Sequence, residues 1–141
     1  ARLNQWGYRV VVATNQAGIG RGLYEMDTLN AIHDKMLKAV AHLGARIDAV
    51  FFCPHTNEDG CDCRKPKPGM LEEIATRYNT DLNGVPVIGD SLRDLQAAAA
   101  MGALPMLVMT GKGVKTIDDP ELPPRTLVFP DLAAAVAHIT A

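Results

Sequence analysis

Short apolar runs alternate with amphipathic stretches along the whole chain. RVVVAT, residues 9–14, is continuous and β-branched, the composition of a strand covered on both faces. Beyond it, Asp27 or Thr28 can cap a helix whose apolar residues recur at Leu29, Ile32, Met36, Leu37, Val40 and Leu43. Those positions keep to one helical stripe, and Gly44 stops it. Residues 47–52 form the next predicted strand. Pro68 suits a first helical turn, and Met70, Leu71, Ile74, Ala75 and Tyr78 share one face of the helix behind it. A short strand over 85–89 ends at Asp90, and Ser91 caps SLRDLQAAAAMG with Asp94 as its capping-box partner. Residues 104–109 are a strand, 111–125 a Gly/Pro-rich loop, 126–129 a strand and 131–139 a last capped helix. This order predicts one α/β domain over residues 1–141 with a mainly parallel sheet.

Composition narrows the classes of partner. The chain has 141 residues, 48% hydrophobic and 21% charged, with a formal net charge of −2. That balance supplies no basic field for nucleic acid and no polybasic patch for a membrane surface. Its longest apolar runs are strand-sized, far short of a membrane span. The opening ARLNQWGYRV lacks a signal peptide's apolar centre; it reads as a helix end, Gly7 and then a strand. We therefore expect a further element before Ala1, so that the domain is incomplete at its N-terminus. All three cysteines fall within CPHTNEDGCDCRKPKPGM, residues 53–70. An odd count clustered with a histidine favours metal ligation over bridging, and with it a reducing, cytoplasmic compartment.

Three polar clusters lie at predicted strand ends, where an open parallel sheet places its chemistry. TNQAG offers the Thr14 hydroxyl and outward backbone N–H groups to phosphate oxygens, although Thr, Asn and Gly also simply make turns. Asp90 can ligate Mg²⁺ as one of the one or two carboxylates that ion takes, or it can help cap the following helix. Asp94 is a helix-turn residue or a partner for a lysine. Arg64 and Lys65 precede Pro66, which favours an extended Lys65 and so a fixed ammonium beside a phosphoryl group; Arg64 can grip an anion bidentately. A solvated basic loop is the alternative. Cys53-x-His55 and Cys61-x-Cys63 supply four ligands of the type that closes a tetrahedral structural Zn²⁺ site. Free thiols or a redox pair are the other readings; CxC with no helix start beside it makes a poor redox site. His33, His42 and His138 have no partner at ligand spacing.

TNQAGIGRG, CPH…CDCRKPKPGML, GDSLRDLQAAAAMG and TGKG, in this order, resemble the haloacid dehalogenase (HAD) superfamily, and within it the D-glycero-D-manno-heptose-1,7-bisphosphate 7-phosphatases. The likeness covers nearly the whole chain. It implies a HAD-like Rossmannoid three-layer fold with a zinc loop in place of a large cap. It also implies a cytoplasmic Mg²⁺-dependent phosphatase serving ADP-heptose and lipopolysaccharide synthesis. Carried over, Thr14 and Lys65 stabilise the phosphoryl group, Asn15, Gln16, Ala17 and Arg64 bind substrate, and Asp90 holds Mg²⁺. Cys53, His55, Cys61 and Cys63 hold structural Zn²⁺. The partner is a small sugar phosphate, and a cap-less member of this size is expected to be a monomer. Ala17 stands where the family often has Ser. The family's strand ending in D-x-D, with the nucleophilic aspartate and the acid/base aspartate, has no counterpart within residues 1–141. The chain by itself is therefore expected to be inactive. A histidinol-phosphate phosphatase shares the zinc loop and motif order, and a non-catalytic, zinc-stabilised phosphate-binding domain is the rival from another class.

Overall fold

A computed structural model describes residues 1–141, which divide into two compact units, Ala1–Arg64 with Thr140 and Lys65–Ile139 with Ala141. The first contains α1 (Arg2–Gln5), β1 (Val11–Asn15), α2 (Ala17–Gly20), α3 (Met26–His42) and β2 (Ala49–Cys53), followed by a 3-10 turn at Asn57–Asp59. Strands β1 and β2 pair in parallel, in register from Val11 opposite Ala49 to Asn15 opposite Cys53. Asp48 starts this ladder. Its carboxylate accepts the Val10 N–H at 2.9 Å, while its own N–H donates to the Val10 carbonyl at 2.7 Å. Arg46 Nη2 sits 2.5 Å from the other carboxylate oxygen.

Differences from the sequence expectations have local causes. Helix α3 starts ahead of the expected caps, with Glu25 at the N-cap position and no side-chain capping bond. Asp27 falls in the first turn instead, where its charge meets the positive end of the helix dipole. Gly44, with φ at +76°, follows its last turn as expected. Of the predicted stripe only Leu29 is fully buried; Ile32, Leu37 and Leu43 are exposed. Strand β1, expected to be covered on both faces, is half-buried along its length. It has a single strand neighbour.

The second unit contains α4 (Gly69–Arg77), β3 (Pro86–Gly89), α5 (Leu92–Ala100), β4 (Leu104–Val108), α6 (Gly113–Thr116), β5 (Leu127–Phe129) and α7 (Leu132–Ile139). Its strands run in parallel in the order β3-β4-β5. With a neighbour on each side, β4 carries the core of this unit: Met106, Leu107 and Val108 are buried. Helix α5 packs on β3 and β4, burying Leu95, Ala97 and Ala98, and α7 lies on all three strands. Asp131 caps α7 as expected, accepting the Ala134 N–H at 2.8 Å. The loop expected over 111–125 contains the single helical turn α6.

The five strands thus form two parallel sheets, of two and three strands, where the sequence suggested one. No helix is long and apolar enough to cross a membrane.

The Asp48 anchor carries a pH dependence. The Arg46 guanidinium, helped by the Val10 N–H, holds the Asp48 carboxyl below the ordinary aspartate range. A depressed acid stabilises the fold fully above its unfolded pKa, and that contribution fades as pH falls through the folded value. Asp48→Asn is expected to lower the urea midpoint at pH 7 and to flatten the stability profile below about pH 4. Unaltered acid sensitivity in the variant would contradict this role.

Candidate active site

In the first unit, the β1–β2 register sets the two loops that bear chemistry side by side. Asn15 lies opposite Cys53. Gln16 N–H donates to the Cys53 carbonyl at 2.7 Å and, beyond the strands, Gly20 N–H to the Pro54 carbonyl at 2.8 Å. A Cβ on Gly20 would come within 2.7 Å of that same carbonyl, so only glycine lets α2 lie this close. Thr14, Asn15, Gln16 and Ala17, named from the sequence, are contiguous here: Thr14 and Asn15 end the strand, Gln16 caps α2 and Ala17 begins it. Gln16 Nε2 donates to Thr14 Oγ1 at 3.1 Å. Tyr24, which sequence reasoning passed over, donates its hydroxyl proton to Gln16 Oε1.

The four metal-type ligands converge. The Cys53, Cys61 and Cys63 sulfurs and a His55 ring nitrogen all lie within 4.8 Å of one another. The sulfur pairs are 2.7, 3.4 and 3.6 Å apart, and His55 Nδ1 is 3.6 Å from Cys53 and 3.4 Å from Cys63. Zn–S bonds of about 2.3 Å set tetrahedral edges of roughly 3.7 Å, so most of these spacings already suit a zinc ion. Without a cation three thiols this close cannot all ionise. Burial and then the neighbouring thiols push Cys63 up to about 12. Burial acts on Cys61 too, but thiol and backbone donors outweigh it and leave that group at about 7. None of the three is bridged.

Arg64 continues from this loop and is 8% exposed. Its Nε donates to Asn57 Oδ1 at 2.7 Å, and Nη1 reaches the His55 carbonyl at 3.4 Å. Asn57 belongs to the 3-10 turn, which is held by a capping box between Thr56 and Asp59. The metal-type loop therefore orients the guanidinium.

In the second unit, Lys65 Nζ lies 2.5 Å from Asp94 Oδ1, with both side chains largely buried. Pro66 follows Lys65 through a cis peptide bond, and Lys65 lies in a turn. The ion pair with Asp94 holds the ammonium in place. Asp94 also accepts from the Ser91 N–H at 3.2 Å and the Ser91 hydroxyl at 2.9 Å. It thus fills both roles that the sequence left open, helix cap and lysine partner. Asp90 is half-buried at the end of β3. Its Oδ2 accepts the Lys112 N–H at 2.8 Å, and its carbonyl accepts from Thr116 Oγ1 at 2.8 Å. One carboxylate oxygen is thereby pinned and Oδ1 is left for a cation, an arrangement that fits a Mg²⁺ ligand. Gly111, with φ at +59°, permits this grip; a Cβ there would stand 2.2 Å from Asp90 Oδ2. The GKG of TGKG, unassigned from the sequence, is therefore part of the Asp90 support.

These motifs have counterparts. The family of HAD-hydrolase-like proteins matches residues 62–135, and that of polynucleotide kinase 3 phosphatases matches residues 1–92. D-glycero-β-D-manno-heptose-1,7-bisphosphate 7-phosphatase of Bordetella bronchiseptica is 57% identical over 99% of this chain and 78% of its own length. The chain belongs to this family of HAD-like phosphatases. The Pseudomonas aeruginosa member is 51% identical over the same shares of each chain. A crystal structure of the B. bronchiseptica D,D-heptose 1,7-bisphosphate phosphatase, complexed with magnesium and phosphate, superposes with a TM-score of 0.97 at 56% identity, covering 99% of this chain and 78% of that one. The Burkholderia thailandensis phosphatase gives a TM-score of 0.80 at 52% identity, over 99% and 80%. The HAD-like α/β fold expected from the motifs is thus the fold of the family, and its members are phosphoric monoester hydrolases.

Gly89 is the residue on which the Lys65–Asp94 pair most depends. A Cβ there would meet Asp94 Cβ and Oδ2 at 2.4 Å. Gly89→Ala is expected to displace Asp94, open the capping box and expose the lysine pair, at a cost of roughly 1–3 kcal/mol. Thermal unfolding should show a Tm lower by several degrees; an unchanged Tm would refute the tight fit.

Proposed function

We propose that the protein is a Mg²⁺-dependent phosphatase that removes the 7-phosphate from D-glycero-D-manno-heptose 1,7-bisphosphate, in the synthesis of ADP-heptose for lipopolysaccharide. The observation that carries this reading is the 57% identity to the B. bronchiseptica enzyme across 99% of the chain. The unbridged cysteines suit a cytoplasmic setting.

Each group has a role fitted to its surroundings. The Thr14 hydroxyl donates to a phosphoryl oxygen, while Asn15, Gln16 and Ala17 bring the loop backbone to the substrate. Lys65, held by Asp94, presents a fixed positive charge that stabilises the transferring phosphoryl group. Arg64 recognises an anionic group of the substrate with a guanidinium oriented by Asn57 and the His55 carbonyl. Asp90 supplies Oδ1 to Mg²⁺, which when bound neutralises charge on the phosphate oxygens. Cys53, His55, Cys61 and Cys63 would hold Zn²⁺ as a full set of four protein ligands, and the metal would then serve structure. Its effect passes to the substrate loop through the bonds from Gln16 and Gly20. The aspartate that attacks phosphorus, and the one that protonates the leaving group, are supplied by a D-x-D segment outside residues 1–141, since no Asp-x-Asp occurs within them.

Two measurements test this. The complete protein should release phosphate from heptose 1,7-bisphosphate only with Mg²⁺, and much faster than from histidinol phosphate. Residues 1–141 alone should release none. A preference for histidinol phosphate, or turnover by the 141-residue chain, defeats the respective part of the proposal. Elemental analysis should find about one zinc per chain in unstripped protein, falling sharply in Cys61→Ser; protein that is folded and zinc-free would rule out the structural site.

A further inference from the structure

Thr14 can serve a phosphoryl group only as a donor, yet a hydroxyl has one proton and two lone pairs, and either can face the ligand. Its neighbours decide which. Gln16 Nε2 donates to Thr14 Oγ1 at 3.1 Å, occupying a lone pair. The Thr14 proton has only the Asn15 carbonyl at 3.4 Å, well beyond an ordinary O–H···O bond. A phosphoryl oxygen, which takes such a proton at about 2.6 Å, wins easily. Everything then hangs on the orientation of the Gln16 amide. Turned over, it would present Oε1 to Thr14, take the hydroxyl proton and aim lone pairs at the phosphate.

Tyr24 is the residue that prevents this. Its hydroxyl donates to Gln16 Oε1, which commits the oxygen and leaves Nε2 facing Thr14. The ring reaches this point because residue 18 is glycine: a Cβ there would stand 2.1 Å from Tyr24 Cε1 and 2.9 Å from its hydroxyl oxygen. We propose that Tyr24 is a positioning residue for phosphoryl transfer, the head of a one-way donor relay from Tyr24 through Gln16 to Thr14 that keeps the Thr14 proton pointed at the substrate. The relay consumes no proton; it fixes polarity. This rests on the phosphoryl-holding role of Thr14 given above.

The test uses the complete enzyme with Mg²⁺, on heptose 1,7-bisphosphate and on p-nitrophenyl phosphate. Tyr24→Phe keeps the ring over Gly18 and removes only the donor. It should lower kcat about tenfold with KM within twofold, on both substrates, against a loss of a hundredfold or more for Thr14→Val. Gln16→Glu, the same size but an acceptor at both oxygens, should draw the Thr14 proton away and fall to the level of Thr14→Val. Tyr24→Phe retaining more than half of the wild-type kcat overturns the relay, whatever happens to KM. So does Gln16→Glu at wild-type kcat, which also serves if the tyrosine variant fails to fold. Full activity in Thr14→Val refutes instead the role of Thr14 itself, and a loss there without one in Tyr24→Phe refutes the relay alone.

Discussion

The backbone bond from Gln16 N–H to the Cys53 carbonyl, 2.7 Å long, closes the β1–β2 ladder at its last step, the Asn15–Cys53 pair. From that step the rest of the first unit follows. Cys53 is at once the last residue of a strand and the first metal-type ligand, and it is fully buried. Whatever fixes its backbone fixes the loop at residues 14–17 beside it. The Gly20 bond to the Pro54 carbonyl adds a second tie, so α2 is fastened to the Cys/His loop at two points. The loop that follows has few buried apolar side chains, so its four converging metal-type ligands are the groups best placed to hold it.

The second unit solves the same problem with charge and glycine. Gly89 makes room for Asp94, which both caps α5 and pairs with Lys65. Gly111 makes room for the Asp90 carboxylate, whose Oδ2 the Lys112 N–H then holds. In each case a missing Cβ lets a carboxylate approach backbone closely. The carboxylate's second oxygen is then free of that contact and can serve chemistry: toward Lys65 in Asp94, and toward a cation in Asp90. Buried ion pairs of this sort contribute little net stability after desolvation, and their worth lies in placing a charge.

Strand burial shows a different constraint. RVVVAT and LPMLV are similarly apolar, yet β4 is buried and β1 only half so. Within residues 1–141, β4 has a strand on each side and β1 has one. Apolar content states what a strand can bury; pairing decides what it does bury. The regular stripe of α3 likewise leaves Ile32, Leu37 and Leu43 exposed.

The sequence by itself determined the α/β order, the strand-end placement of the three clusters and the identity of the four metal-type ligands. Those depend on local periodicity, on turn residues and on side-chain chemistry, all of which act over a few residues. The Ser91–Asp94 capping box and the Asp131 cap were legible for the same reason. Tertiary structure alone decided which bonds those residues make. Asp94 chooses Lys65 from 29 positions away, and Lys112 reaches Asp90 across 22. The role of Tyr24 was invisible because a tyrosine eight residues beyond a glutamine carries no periodic signal. Only the fold of that loop, with glycine at 18, brings the phenol to the amide, and hydrogen bonds depend on distances of tenths of an ångström that no spacing rule along a chain can supply.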